Sequence, residues 1–395
     1  MSSTQCPVCS AQEPEPFARF SAVPVHVGVL WPDEESARNC SRGDIWLTHC
    51  ESCQLIRNLA FDDSKIDYGL KYDNALHFSS VFQEYERNLA DRLIETYGIR
   101  GKNVVEIGCG GGHFLGLLCE RGDNGGAGFD PSHDAENADP AVRNSDNVQV
   151  LREYYSADHG EYPADLLCCR HVLEHIPSPA EFLGNVRNAL LDQPEAILYF
   201  EVPNADFILG DLSIWDVIYE HTLYFTAAAL RNIFETCGFE VLALEPCYDN
   251  QFLGLEARVR RDWQPGAPAV GDHGANTKAL VAAMARHIET MCQDWGAKLQ
   301  QHAAAGENVV VWGGGAKTVT FLNLMGESAS AVTQVVDVNP GKQGSFIAGS
   351  GHEILAPAAL EASQPHTVIV MNPIYRDEIE ADLKAMGLNP QVVAV

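Results

Sequence analysis

The spacing of apolar residues changes period several times along this chain, and each change predicts an element. Over 68–97, Phe82, Tyr85, Leu89 and Leu93 recur every three or four positions, which predicts a helix with one buried stripe. From 103 to about 260, short β-branched and apolar runs alternate with helical stretches. The predicted strands fall near 104–107, 126–129, 148–151, 165–169, 196–201, 239–245 and 253–259. Alternation of this kind predicts a parallel sheet flanked by helices. Only a turn separates the last two strands, so they should form an antiparallel hairpin at the sheet edge. Residues 261–275, with Trp263-Gln264-Pro265-Gly266-Ala267-Pro268, read as a linker. A helix over about 276–303 then leads into a second α/β unit with strands at 308–312, 334–337 and 367–371. Turns and short strands dominate the start of the chain. The expected organisation is a lobe at 1–70, an α/β domain at 71–262, and a linker helix with a second Rossmann-like α/β domain at 263–395.

The first strand of the α/β region runs into a glycine cluster. Val104-Val105 leads through Glu106 to Gly108, Gly110, Gly111 and Gly112, and Phe114-Leu115 resumes at helical spacing. Glycines permit positive φ and let a ligand approach the backbone closely. The dinucleotide pattern G-x-G-x-x-G is only partly met. Asp130, in Gly128-Phe129-Asp130-Pro131-Ser132, ends the next strand 24 residues after Glu106. An acid there can accept hydrogen bonds from both ribose hydroxyls of a nucleotide-like cofactor. A second turn, Gly313-Gly314-Gly315-Ala316-Lys317, has Asp337 after it but no third glycine at the right offset. It reads as a half-site near substrate rather than an independent nicotinamide site.

Charge narrows the partners. The chain has 395 residues and a formal charge of −28, from 26 basic and 54 acidic residues. Such a surface repels phosphate backbones and anionic lipid, so neither nucleic acid nor membrane is an expected partner. No apolar run approaches membrane-spanning length, and Met1-Ser2-Ser3-Thr4-Gln5-Cys6 lacks the regions of a signal peptide. The expectation is a soluble cytoplasmic protein.

Of twelve cysteines, Cys109, Cys119, Cys168, Cys169, Cys237, Cys247 and Cys292 lie in apolar or helical patterns and read as small buried hydrophobes. Cys6-Pro7-Val8-Cys9 and Cys50-Glu51-Ser52-Cys53 differ, because paired CxxC knuckles present four thiolates to one Zn²⁺. A closed Cys₄ site has no open coordination position and is expected to be structural. Cys40 and His49 are read as non-ligand neighbours.

The fourth strand ends in Cys168-Cys169-Arg170, followed by His171-Val172-Leu173-Glu174-His175. His171 and His175 share a face if this segment is helical, and polar contacts to substrate are favoured there over a metal. Further on, Trp215-Asp216-Val217-Ile218-Tyr219-Glu220-His221 ends in an acid–histidine pair. Histidine suits general-base work, and an adjacent glutamate can raise its pKa or orient a neighbour.

E-x-G-x-G-x-G resembles motif I of class I S-adenosylmethionine-dependent methyltransferases, whose loop faces the amino-acid end of the cofactor. The ordered set of paired CxxC, this motif, G-x-D-P-S, H-V-L-E-H, E-V-P, Y-E-H-x-x-Y-F, G-G-G-A-K and V-D-x-N-P-x-K-Q-G resembles the three-domain sugar C-methyltransferases over essentially the whole chain. The resemblance implies a class I methyltransferase Rossmann-like sheet between a zinc lobe and a second Rossmann-like domain. It makes Glu106, Gly108, Gly110, Gly112, Asp130 and Pro131 the cofactor contacts. It implies proton abstraction beside the ketone of a nucleotide-linked 4-keto sugar, then attack of the enolate on the cofactor's methyl sulfonium. The family's Glu-His pair maps onto Glu220 and His221, with His221 as base. His171 and His175 match its fourth-strand positions, and Tyr72 matches its N-terminal active-site tyrosine. This chain departs at His171, where an amide is usual, and at Ile218, where a tyrosine is usual. It departs again at Asp249–Arg258, where a glycine-rich Ser-Arg stretch is usual. O-methylation of a sugar or small metabolite is the alternative enzyme, and a non-catalytic zinc-stapled binding protein the alternative of another class.

Overall fold

The computed structural model describes residues 5–66, 76–136, 138–264 and 275–395. Three strands open the chain: β1 (Ala18–Pro24), β2 (Arg42–His49) and β3 (Ile56–Asn58). They pair antiparallel in that order. The central sheet uses β4 (Asn103–Ile107), β5 (Gly125–Phe129), β6 (Val148–Leu151), β7 (Leu166–Arg170) and β8 (Ile197–Pro203). A two-residue strand, β9 (Leu223–Tyr224), leaves this sheet and completes the N-terminal one by pairing with β3. The central sheet then closes with β10 (Phe239–Cys247) and β11 (Phe252–Val259).

Its order is β10-β11-β8-β7-β4-β5-β6. Strands β4 to β8 run parallel, while β11 is antiparallel to both β8 and β10. The chain therefore winds one way from β4 and returns to wind the other way through β7. That reversal creates a crevice beyond the carboxyl ends of β4 and β7, where open α/β sheets take ligands. This is a class I methyltransferase fold, with the expected hairpin at its edge.

The predicted amphipathic helix forms over Ser80–Tyr97, burying Phe82, Leu89 and Leu93. It starts later than its periodicity suggested, because Ser79 caps it by accepting from the amides of Val81 and Phe82. Gly98, at φ 64°, ends it. The remaining helix expectation at 68–75 lies outside the described residues, as does Tyr72.

The last domain is a parallel five-stranded sheet, β14-β13-β12-β15-β16. Its strands are β12 (Val309–Trp312), β13 (Val332–Val336), β14 (Ile354–Leu355), β15 (Thr367–Val370) and β16 (Gln391–Ala394). A helix over Ala275–Ala305 precedes it. One apolar core runs through all three parts, with Phe20 and Ile45 meeting Trp215, Tyr219, Val311 and Phe321. Among the described residues, no helix is long and apolar enough to cross a membrane.

Candidate active site

Gly108 leaves β4 at φ 71°, and a side chain there would overlap Val172. The glycine turn and the segment after β7 are therefore in direct contact. Gly110, at φ 53°, has nothing within 4 Å of where a Cβ would stand. Its amide donates to Asp130 Oδ2 at 2.8 Å, while Ser132 N and Oγ donate to Oδ1 at 2.8 and 2.6 Å. Asp130 thus stands against the glycine turn with its orientation fixed, and Pro131 follows it. Gly112 caps the next helix at φ 83°, and His113 begins that helix. His113 was not foreseen as a site residue; its Nδ1 is 2.8 Å from Asp139 and its ring stacks on His77.

Glu106 lies beneath this turn, buried, with Oε2 lacking a hydrogen-bond partner among the described residues. Burial pushes its carboxyl up to about 8, against the pull of Arg170. Arg170, also buried, donates from Nη1 to Glu86 at 2.9 Å and from Nε to Glu201 at 3.0 Å. Tyr85 and Tyr199 donate to the other Glu201 oxygen. Burial disfavours the Glu201 anion, but Arg170 and His171 hold its pKa well below the usual range. This buried ionic network, with Glu86 Oε2 left without a hydrogen-bond partner among the described residues, forms the floor of the crevice.

The segment after β7 is not an α-helix. His171 takes a left-handed φ of 54°, and Leu173–His175 form one 3₁₀ turn. His171 and His175 therefore face different partners rather than sharing one helical face. The His171 ring nitrogens lie 3.0 Å from Glu201 and 3.7 Å from Glu174. Burial opposes its charge, yet these two carboxylates raise it to about 9. His175 donates from Nδ1 to the Glu220 carbonyl at 2.9 Å, and its ring meets His221 edge-on at 5.0 Å. Burial, then His175, lowers His221 to about 3, against Glu174. The Glu220 carboxylate accepts from the Val27 amide at 2.9 Å, so it ties the N-terminal lobe to this loop. Tyr219 turns away as well: its hydroxyl accepts from Asp62 N at 2.9 Å. Glu174, whose spacing with His171 and His175 could suggest a metal pair in the sequence, lies beside both His175 and His221. Its donor atom and theirs all lie within 4.8 Å of one another.

Where the chain departs from the resembled family, Phe252 packs edge-on against His171 at 4.5 Å and stacks with Tyr248 at 5.0 Å. The C-terminal domain closes this side through Tyr248–Tyr375 and Gln251–Asn372 hydrogen bonds of 2.5 and 2.8 Å.

Cys6, Cys9, Cys50 and Cys53 converge, with Sγ separations of 3.4 Å (Cys6–Cys53) and 3.5 Å (Cys9–Cys50). The two knuckles are built alike. Ser10 N returns to Cys6 O and Gln54 N to Cys50 O, and both returning residues have positive φ. Tetrahedral Zn–S bonds of about 2.3 Å need sulfurs roughly 3.8 Å apart, so the donor set fits that ion. Asn232 and Thr226 donate to the carbonyls of Cys53 and Gln54, fastening the cluster to the stretch that follows His221.

Residues 79–244 match the family model of a methyltransferase domain, and residues 271–390 that of a C-methyltransferase C-terminal domain. Together they support a family of S-adenosylmethionine-dependent methyltransferases. Among curated relatives, the ubiquinone biosynthesis O-methyltransferase of Aromatoleum aromaticum is 32% identical over 126 residues, 30% of this chain and 50% of that protein. The enzyme of the same name from Neisseria meningitidis serogroup C is 27% identical over 111 residues, 27% of this chain and 46% of that protein. The chain thus spans about half the length of these relatives. A S-adenosylmethionine-dependent methyltransferase structure from Aquifex aeolicus aligns with a TM-score of 0.34 at 15% identity, covering 47% of this chain and all of that one.

Proposed function

We propose that this protein is a S-adenosylmethionine-dependent methyltransferase that methylates carbon beside a ketone, in a nucleotide-linked keto-sugar or similar metabolite, with His221 as base. The observation that carries this reading is the continuity of the site. Gly108 abuts Val172, Val172 precedes the turn holding His175, and His175 meets His221. A cofactor seated on the glycine turn would thereby lie on the same rim as the His221 imidazole, whose Nδ1 has no hydrogen-bond partner among the described residues.

The residues present fit that cofactor. Gly110 leaves open space, Asp130 is held against the glycine turn at the end of β5, and the orphaned Glu106 oxygen suits an ammonium group. When bound, S-adenosylmethionine supplies an electrophilic methyl group. This chain's own work is then to hold the acceptor and move one proton. His221 is neutral near pH 7 and so has a lone pair for the acidic hydrogen next to a carbonyl, while burial makes it a weaker base than a free imidazole. His175 holds the Glu220–His221 backbone through its bond to the Glu220 carbonyl. His171, spent on two carboxylates, positions the crevice wall rather than contacting the acceptor.

The thiol cluster is read as a structural zinc site, since β9 and the Thr226–Asn232 contacts join it to the loop bearing His221. The aromatic wall of Tyr248 and Phe252 favours a second reading, transfer to oxygen of an acceptor with a flat apolar face, in keeping with the names of the curated relatives. His221→Ala is expected to cut transfer by roughly 10²–10⁴-fold while cofactor affinity survives. Activity retained in that variant would remove His221 as base, and product NMR separates a C-methyl from an O-methyl group.

A further inference from the structure

Glu174 has no task in the proposed proton transfer. Its side chain is buried, 1% exposed, and neither carboxylate oxygen has a hydrogen-bond partner among the described residues. His171 Nδ1 stands 3.7 Å away. His171, raised to about 9 and so protonated, already offsets part of the cost of burying this carboxylate without hydrogen bonds. Two imidazoles face it, those of His175 and His221, with all three donor atoms inside 4.8 Å.

Both imidazoles can give a lone pair. A backbone carbonyl only accepts, so the 2.9 Å contact with Glu220 O puts the His175 proton on Nδ1 and leaves Nε2 free. A carbonyl partner of this kind commonly orients a metal-binding histidine. His221 Nδ1 is buried with no hydrogen-bond partner among the described residues. Two imidazoles and one carboxylate are the donor set of open-sided sites for Fe²⁺, Co²⁺, Ni²⁺ or Zn²⁺, whereas Ca²⁺ and Mg²⁺ prefer oxygen throughout. Closing on an ion would draw the donors inward, a rotation available to the partly exposed His175 and His221.

We propose that Glu174, His175 and His221 form a divalent transition-metal site, separate from the thiol cluster. Its consequence for activity rests on the proposed role of His221. A ring nitrogen bound to an ion has no lone pair for a proton, so occupancy would reversibly block proton abstraction.

The test is a Co²⁺ titration of the full chain with its thiol cluster already loaded with Zn²⁺. One further equivalent is expected, giving visible d–d bands without sulfur-to-cobalt charge transfer. Glu174→Gln and His175→Gln should each weaken it by roughly tenfold or more, the loss that even an outer partner can cause. S-adenosylmethionine binding by the same samples checks that each variant folds, and either variant alone suffices. No further equivalent, absorption of the sulfur type only, or unchanged binding in the folded variants would overturn the site. Failure of methyl transfer without loss of Co²⁺ binding would count against the methyltransferase reading and leave this site standing.

Discussion

The two glycine turns are built on one hydrogen-bond plan and end in opposite situations. In the first, Gly108 N donates to Phe129 O and Gly110 N to Asp130 Oδ2, while Ser132 N donates to Oδ1. In the second, Gly313 N donates to Val336 O and Gly314 N to Asp337 Oδ2, while Asn339 N donates to Oδ1. Yet Gly110 opens onto free space, whereas a Cβ on Gly314 would come within 2.9 Å of Ile354. Gly313 has open space where a Cβ would stand, but Val27 to Leu30 of the N-terminal lobe cover the turn at Gly314, and the cavity they leave there measures about 10 Å³. That is room for about one water, not for a nucleotide. Lys317 reaches Asp216 at 2.8 Å and Thr320 reaches the Val217 carbonyl at 3.3 Å. The second turn therefore braces the loop that carries Glu220 and His221. The shared plan fixes how a strand meets a helix; what covers it decides whether a ligand can enter.

Substitutions at the paired glycines should separate these roles most strongly. Gly110→Val is expected to weaken S-adenosylmethionine binding by 100-fold or more, measured by calorimetry, because its side chain would fill the crevice. The accompanying stability loss should stay near the ~1–2 kcal/mol of a side chain held at positive φ. Gly314→Val should do the reverse, losing about 1–3 kcal/mol in urea unfolding through overpacking while cofactor affinity in the folded protein is kept. Lost affinity in this second variant would mean that the turns are coupled.

Lys317→Ala removes a half-buried brace without touching the crevice. Turnover should fall by about tenfold as the His221 loop loosens, with cofactor affinity within twofold, a split read from steady-state kinetics and calorimetry. The smallest effect concerns pH. Below about 8 the Glu106 carboxyl is protonated in the free protein, and a cationic cofactor favours its ionised form. Binding then releases a proton, so affinity should rise by up to about tenfold per pH unit on approach to 8 and level off above it. A flat profile from pH 6 to 9 would detach Glu106 from the cofactor.

Periodicity and glycine spacing made much of this legible. The central strands lie within a residue or two of their expected positions, and each CxxC knuckle was legible because its geometry is local. Contacts between distant residues were not. Nothing in Leu223–Tyr224 announces a strand, since two residues have no period and their partner β3 lies far back in the chain. Glu220 reads as a helper of His221 in sequence, but its carboxylate serves Val27, 193 residues away. Glu174 sits in a histidine-flanked run whose helical reading hid its direction; the left-handed His171 sends it beneath His221 instead. The covering of Gly314 by Val27 to Leu30 is equally a tertiary fact, invisible to the motif it conceals.

Cofactor stoichiometry tests the central claim most directly. Calorimetric titration of the full chain with S-adenosylmethionine should give one site per chain, lost in Gly110→Val and kept in Gly314→Val. Two sites per chain, or binding that survives Gly110→Val and disappears in Gly314→Val, would contradict it.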